Sequence, residues 1–126
     1  MASFLWVPLG GAIGSILRFG VNLAAPRLLG TGFPWATLTV NVVGSFIMGL
    51  IAAFLAEKFI DQPDLRLFLT TGVLGGFTTF SAFSLDVFGL MQRGENSAAL
   101  VYALASVGLS ILAVFGGFMV SRALVA

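Results

Sequence analysis

The chain has 126 residues, of which 59% are hydrophobic and 9% charged, with a formal net charge of +1 and a mean hydropathy of +1.09. Soluble domains carry about 25% charged residues, so this composition describes an integral membrane protein, and its small net charge offers no basic surface to nucleic acid. The absence of Cys and His excludes disulfides, thiolate or imidazole metal sites, and catalysis built on either side chain.

Nothing from Met1 to Ser3 supplies the Lys or Arg of a cleavable signal, and the apolar run that follows is too long for one. That run, Phe4 to Ala25, is the first of four segments at or above the roughly 20 residues a helix needs to cross hydrocarbon. The second spans Trp35 to Ala56, the third Leu65 to Met91 and the fourth Ala98 to Leu124. The connections, Pro26 to Pro34, Glu57 to Asp64 and Gln92 to Ser97, have no room for a further domain. Residues 1–126 therefore read as a single all-α membrane unit of four transmembrane helices. Pro26, Pro34 and Pro63 stand at segment edges, where a missing N–H does least harm.

Residues four apart stack on one side of a helix. Gly10, Gly14, Arg18 and Asn22 form such a strip in the first segment, Thr37, Asn41, Ser45 and Gly49 in the second, and Tyr102, Ser106 and Ser110 in the fourth. Small residues let membrane helices approach closely, and that packing role is expected of Gly10, Gly14, Gly44, Gly49, Gly116 and Gly117. Asn41 and Arg18 ask for more. An amide at bilayer depth needs partners, and its NH₂ would suit an anion in a pore. Arg18 must snorkel, hold backbone carbonyls or pair with an acid, and Asp86 is the one acid within a segment.

The third segment is unlike the others. From Thr71 to Asp86 it reads TGVLGGFTTFSAFSLD. Gly72, Gly75 and Gly76 weaken the helix, each by about 1 kcal/mol relative to alanine, which predicts a break in mid-membrane. Irregular backbone at that depth must be satisfied by protein or line a cavity. A half-helix ending near Gly75 would turn unpaired carbonyls toward a cation such as Na⁺. Phe80 and Phe83 share a helix face, and their positive ring edges could receive a small anion without gripping it. The hydroxyls of Ser106, Ser110, Thr37 or Thr39 and the amide of Asn41 would then replace its water.

Lys58, Arg66 and Arg122 fall on one side of the membrane, and Arg27 and Arg93 on the other, joined by Arg18 if it leans that way. Three against three gives no orientation bias. Such a chain can insert both ways and pair about an in-plane two-fold axis, or keep a weak bias with Arg18 buried.

GVLGGFTTFSAFSLDV, Gly72 to Val87, resembles the signature of the Fluc (CrcB-like) family of fluoride channels, whose core reads GGxTTFSTF. GGAIGSILRF, Gly10 to Phe19, and TLTVNVVGSFIMG, Thr37 to Gly49, are similar to that family's first- and second-helix patterns, and length and layout agree across nearly the whole chain. The resemblance implies an antiparallel dual-topology homodimer in the lipid bilayer of the bacterial cytoplasmic membrane, exporting fluoride passively through two pores. It implies Asn41 as the pore asparagine, Phe80 and Phe83 along the ion path, and Tyr102, Ser106 and Ser110 as a polar track. Gly75 and Thr78 would offer backbone carbonyls to a structural Na⁺ at the dimer centre. Ala82 stands where the family usually has Thr, and Asp86 where it often has Glu, so one hydroxyl is lost and one carboxylate shortened.

On the residues alone two other classes stay open. A small proton-coupled drug exporter would need an acid in a substrate-facing helix, and the first segment has none. A structural subunit of a larger membrane complex would use the glycine strips without transport. No nucleophile and base pair points to an enzyme.

Overall fold

A computed structural model describes residues 3–58 and 62–125. In chain order its elements are α1 (Ser3–Leu29), α2 (Trp35–Lys58), α3 (Pro63–Leu67), a π-helical stretch (Phe68–Leu74), α4 (Gly75–Phe77), α5 (Phe80–Gln92) and α6 (Asn96–Val125), with no strand among the described residues. Four stretches are long and apolar enough to cross a membrane: Phe4–Leu29, Trp35–Ala56, Pro63–Gln92 and Asn96–Leu124. Each lies within a few residues of its expected segment. The second connection, expected at Glu57 to Asp64, falls partly on residues 59–61, outside the described residues, as does the side chain of Lys58.

The first helix overruns its expected edge. Pro26 lies inside α1, which ends only at Leu29; Gly30 (φ +86°) then takes the left-handed turn and returns its N–H to the Pro26 carbonyl at 3.0 Å. Pro26 removes a single donor, that toward the Asn22 carbonyl, one turn before the helix stops in any case. Pro63 opens α3, where its fixed φ suits a first helical turn.

Glycines decide which helices touch. α1 crosses the π-helical stretch and α4 backbone to backbone. A methyl group on Gly10 would lie 2.5 Å from the Phe68 carbonyl oxygen, one on Gly76 would lie 2.5 Å from that of Gly11, and one on Gly14 would collide with that of Val73. α2 and α6 form the other close pair, where methyls on Gly49 and Gly117 would collide with the carbonyls of Val114 and Phe46. Gly44 leaves space on α2 for the methyl group of Thr78 and the ring of Phe77. Of the glycines expected to pack, only Gly116 is loose, meeting the Phe46 ring at 3.8 Å. Gly72 and Gly76 belong to the contact with α1, so both serve close approach, and helical conformation lapses further on, at Thr78 and Thr79. Between α5 and α6 a small core gathers Phe83, Leu90, Ala99 and Tyr102. Large apolar side chains such as Leu5, Ile16 and Leu112 stay exposed, as suits a chain surrounded by acyl tails.

Overpacking a close contact costs about 1–3 kcal/mol. Gly14→Ala should therefore lower the melting midpoint of the detergent-solubilised protein clearly, whereas Gly20→Ala, whose added methyl meets nothing within 4 Å, should leave it unchanged or raised.

Candidate functional site

The two threonines between α4 and α5 shape the site. Thr78 (φ −86°, ψ 160°) and Thr79 (φ −156°, ψ 123°) are both extended. Thr78 donates its N–H and its hydroxyl to the Leu74 carbonyl, each at 2.9 Å, which closes the preceding turn. Thr79 is the N-cap of α5, its Oγ1 accepting the Ala82 N–H at 3.1 Å. An extended residue cannot satisfy its own peptide groups within a helix. Asn41 on α2 does so for Thr79: Oδ1 accepts the Thr79 N–H at 2.8 Å and Nδ2 donates to the Thr79 carbonyl at 2.9 Å. A primary amide presents one acceptor and one donor side by side, so Asn41 completes the peptide as a neighbouring strand would.

Beside this junction lies a cavity of about 300 Å³ lined by Asn41, Thr79, Phe80, Phe83, Ser106 and Ser110, among others. The rings of Phe80 and Phe83 lie 5.5 Å apart between centroids, tilted by 51°. Phe83 is buried, while Phe80 is 74% exposed on the outer side of the chain. The hydroxyl oxygens of Ser106 and Ser110 are buried without a hydrogen-bond partner among the described residues. Such groups are costly away from water, and both belong to residues that line the cavity.

Tyr102 departs from the other expected track residues. It is fully buried and does not line this cavity; its hydroxyl donates to the Asp86 carboxylate at 2.9 Å, and its ring packs 5.2 Å from that of Phe83. Asp86 is therefore held by Tyr102, and the expected pairing of Asp86 with Arg18 is not formed. Arg18 instead donates through Nε to the Gly76 carbonyl at 3.1 Å, because the close α1 crossing brings that carbonyl within its reach.

Gly75 and Thr78 can be tested as carbonyl donors on their hydrogen bonds. A regular helix sends the N–H of residue i to the carbonyl of i−4. Here the N–H of Thr79 goes to Asn41 and that of Ala82 goes to the Thr79 hydroxyl, so the carbonyls of Gly75 and Thr78 both lose their regular helical donors. Two such oxygens per chain fit a hard cation, which takes oxygen ligands. The visible signal for Thr79 in the sequence is an N-capping hydroxyl before an apolar run.

Known proteins resemble the chain along nearly its whole length. The family model described as CrcB-like protein, Camphor Resistance (CrcB), matches residues 5–118. A curated relative from Rhizobium etli, named fluoride-specific ion channel FluC, is 56% identical over 125 residues, covering 99% of this chain and 100% of the relative. Proteins of the same name from Chelativorans sp. and Agrobacterium fabrum are 56% and 49% identical, over 98% and 97% of this chain and 99% and 98% of their own lengths.

The hydrogen bonds separate two kinds of polar residue. Asn41→Ala strips two peptide groups of their partners, at about 1–3 kcal/mol each, and should lower the melting midpoint in detergent by several degrees. Ser110→Ala removes a buried hydroxyl without a hydrogen-bond partner among the described residues and should leave the midpoint at or above that of the parent.

Proposed function

The chain belongs to the CrcB-like family, and from that membership we propose that it is a fluoride-selective ion channel, a multi-pass protein of the bacterial cytoplasmic membrane through which F⁻ leaves the cell passively. The observation that carries this reading is one cavity lined by Asn41, Phe80, Phe83, Ser106 and Ser110, with the two serine hydroxyls buried and without a hydrogen-bond partner among the described residues. The close similarity to curated proteins named fluoride-specific channels supplies the ion.

A small, strongly hydrated anion costs many kcal/mol to move into hydrocarbon, tens in the idealised limit, so a path must replace its water without holding it fast. Ser106 and Ser110 each have an O–H to give. Asn41 keeps one N–H of its amide, since only one is needed for the Thr79 carbonyl. The edges of Phe80 and Phe83 add weak positive potential. Among the described residues no Lys or Arg lines this cavity, which leaves the ion free to depart.

The reading extends to assembly. Two oppositely oriented copies pair as an antiparallel homodimer with two pores, each copy covering the exposed ring of Phe80 on its partner. The balanced Lys and Arg count supports insertion in both orientations. The third span is then broken at mid-membrane depth, at Thr78 and Thr79. The carbonyls of Gly75 and Thr78 from both copies would hold a structural Na⁺ at the dimer centre, where the ion supplies fixed positive charge that ties the two chains together. Gly75 is exposed on a single chain, which suits a ligand shared with a second copy.

Fluoride efflux from proteoliposomes, read with a fluoride electrode, tests the channel. The parent protein should release fluoride while retaining chloride, without a proton gradient, and Phe83→Ile and Asn41→Asp should slow release severely. Equal rates in all three proteins would refute the path. Ser110→Ala should slow it while leaving the melting midpoint intact. For the cation, a crystal structure of the dimer grown in Na⁺ should place one ion among the Gly75 and Thr78 oxygens of both copies; density ligated by nitrogen would count against it.

A further inference from the structure

A second cavity, of about 290 Å³, opens at the end of the bundle where α1 ends and α2 begins, and is lined by Phe33, Pro34, Asp86, Leu90 and Arg93, among others. Tyr102 stands between the two cavities. Its ring packs against Phe83, which lines the first, and edge-on against Phe33, which lines the second, at centroid distances of 5.2 and 5.4 Å. Its hydroxyl donates to Asp86 in the second. One polar line thus runs from Ser110 and Ser106, past Tyr102, to Asp86 and the bundle end.

That arrangement sets an electrostatic difficulty for an anion. Asp86 is the acid in the wall of the second cavity, and Arg93 is the one Lys or Arg among its lining residues. Arg93 caps the C-terminus of α5, its backbone N–H donating to the Gly89 carbonyl at 3.1 Å, and the left-handed Gly94 (φ +77°) then turns the chain toward α6. The turn brings Glu95 back onto the guanidinium, whose Nε donates to Glu95 Oε2 at 2.8 Å. Both side chains are about half exposed, at 56% and 45%. An ion pair so exposed is weak and screened by salt, so Glu95 tempers the charge of Arg93 without removing it from the opening.

We propose that the second cavity is an outer mouth of the ion path and that Arg93 is its anion-attracting charge, offsetting Asp86 and tuned by Glu95. The proposal rests on the channel reading and adds to it the residue that raises the local anion concentration at one end of each pore. Arg93 does not ligate the ion in the narrow part of the path. It acts at a distance, by focusing the field into a low-dielectric cleft.

Initial fluoride efflux from proteoliposomes, at low fluoride and in potassium gluconate, separates this role from a structural one. The Debye length is about 30 Å at 0.01 M salt and about 3 Å at 1 M. At about 10 mM gluconate, removing one exposed charge should slow entry about threefold, so Arg93→Gln should run at roughly a third of the parent rate, Arg93→Lys near it and Glu95→Gln above it. At about 1 M gluconate the four rates should converge as the charges are screened. Arg93→Gln equal to the parent at low salt would overturn the proposal, as would a slow Arg93→Gln that neither salt nor Arg93→Lys corrects. A parent protein that moves no fluoride at either salt would instead overturn the channel reading on which the proposal rests.

Discussion

The site depends on two hydrogen bonds between one side-chain amide and the backbone N–H and C=O of one residue, Thr79. Asn41 gives and receives a bond at Thr79, the residue where helical pairing lapses. In a medium without water, extended backbone is admissible only if something else completes it. Asn41 makes the lapse affordable and also fixes its place. α2 is held to α6 through Gly49 and Gly117, so the amide ties the start of α5 to the helix pair that carries Ser106 and Ser110. The positions of Phe80 and Phe83 relative to those hydroxyls follow from that tie.

α1 contributes from the other side. Its glycines admit the π-helical stretch and α4 at backbone distance, and the same proximity places Arg18 on the Gly76 carbonyl. A guanidinium on one carbonyl of this turn, with the neighbouring carbonyls of Gly75 and Thr78 released from helical donors, divides the acceptors by role. One is bound by a side chain of the same chain, and two are without their regular helical donors. Gly72 and Gly76, which a propensity argument reads as helix breakers, thus act by removing volume, and the Thr79 hydroxyl beyond them acts as a cap.

Much of this was legible in the residues. Segment lengths and hydropathy located the four spans because both follow from the thickness of hydrocarbon. The strips at four-residue spacing identified Gly10, Gly14, Gly49 and Asn41 as facing protein, since periodicity says which side of a helix a residue is on. Periodicity does not say which atom across the interface it meets. Arg18 and Asp86 were therefore a reasonable charge pair, yet Asp86 found Tyr102 on α6 and Arg18 found a carbonyl. Pro26 looked like a boundary because its local effect is known; that α1 continues to Leu29 depends on Gly30, which can turn left-handed where Pro26 cannot stop the helix. The second cavity had no sequence signal at all, because Phe33 and Pro34 come from a connection and meet α5 only in the fold.

The strip on α6 shows how one run of polar residues acquires two functions. Tyr102, Ser106 and Ser110 are equivalent by spacing, and all three present a hydroxyl toward α5 or the cavity beside it. Tyr102 meets a carboxylate and is committed to it; the buried hydroxyls of Ser106 and Ser110 have no partner within hydrogen-bond geometry among the described residues. A satisfied hydroxyl stabilises the bundle and has little to offer a passing ion. An unsatisfied one costs stability, about 1–3 kcal/mol for a buried group, and offers an O–H to whatever enters. Filling the cavity with partners for the two serines would strengthen the fold and remove the space beside them. Under the channel reading, the cost of leaving them unbonded is what transient occupancy by an ion requires, and it falls on two residues that line one cavity with Phe83.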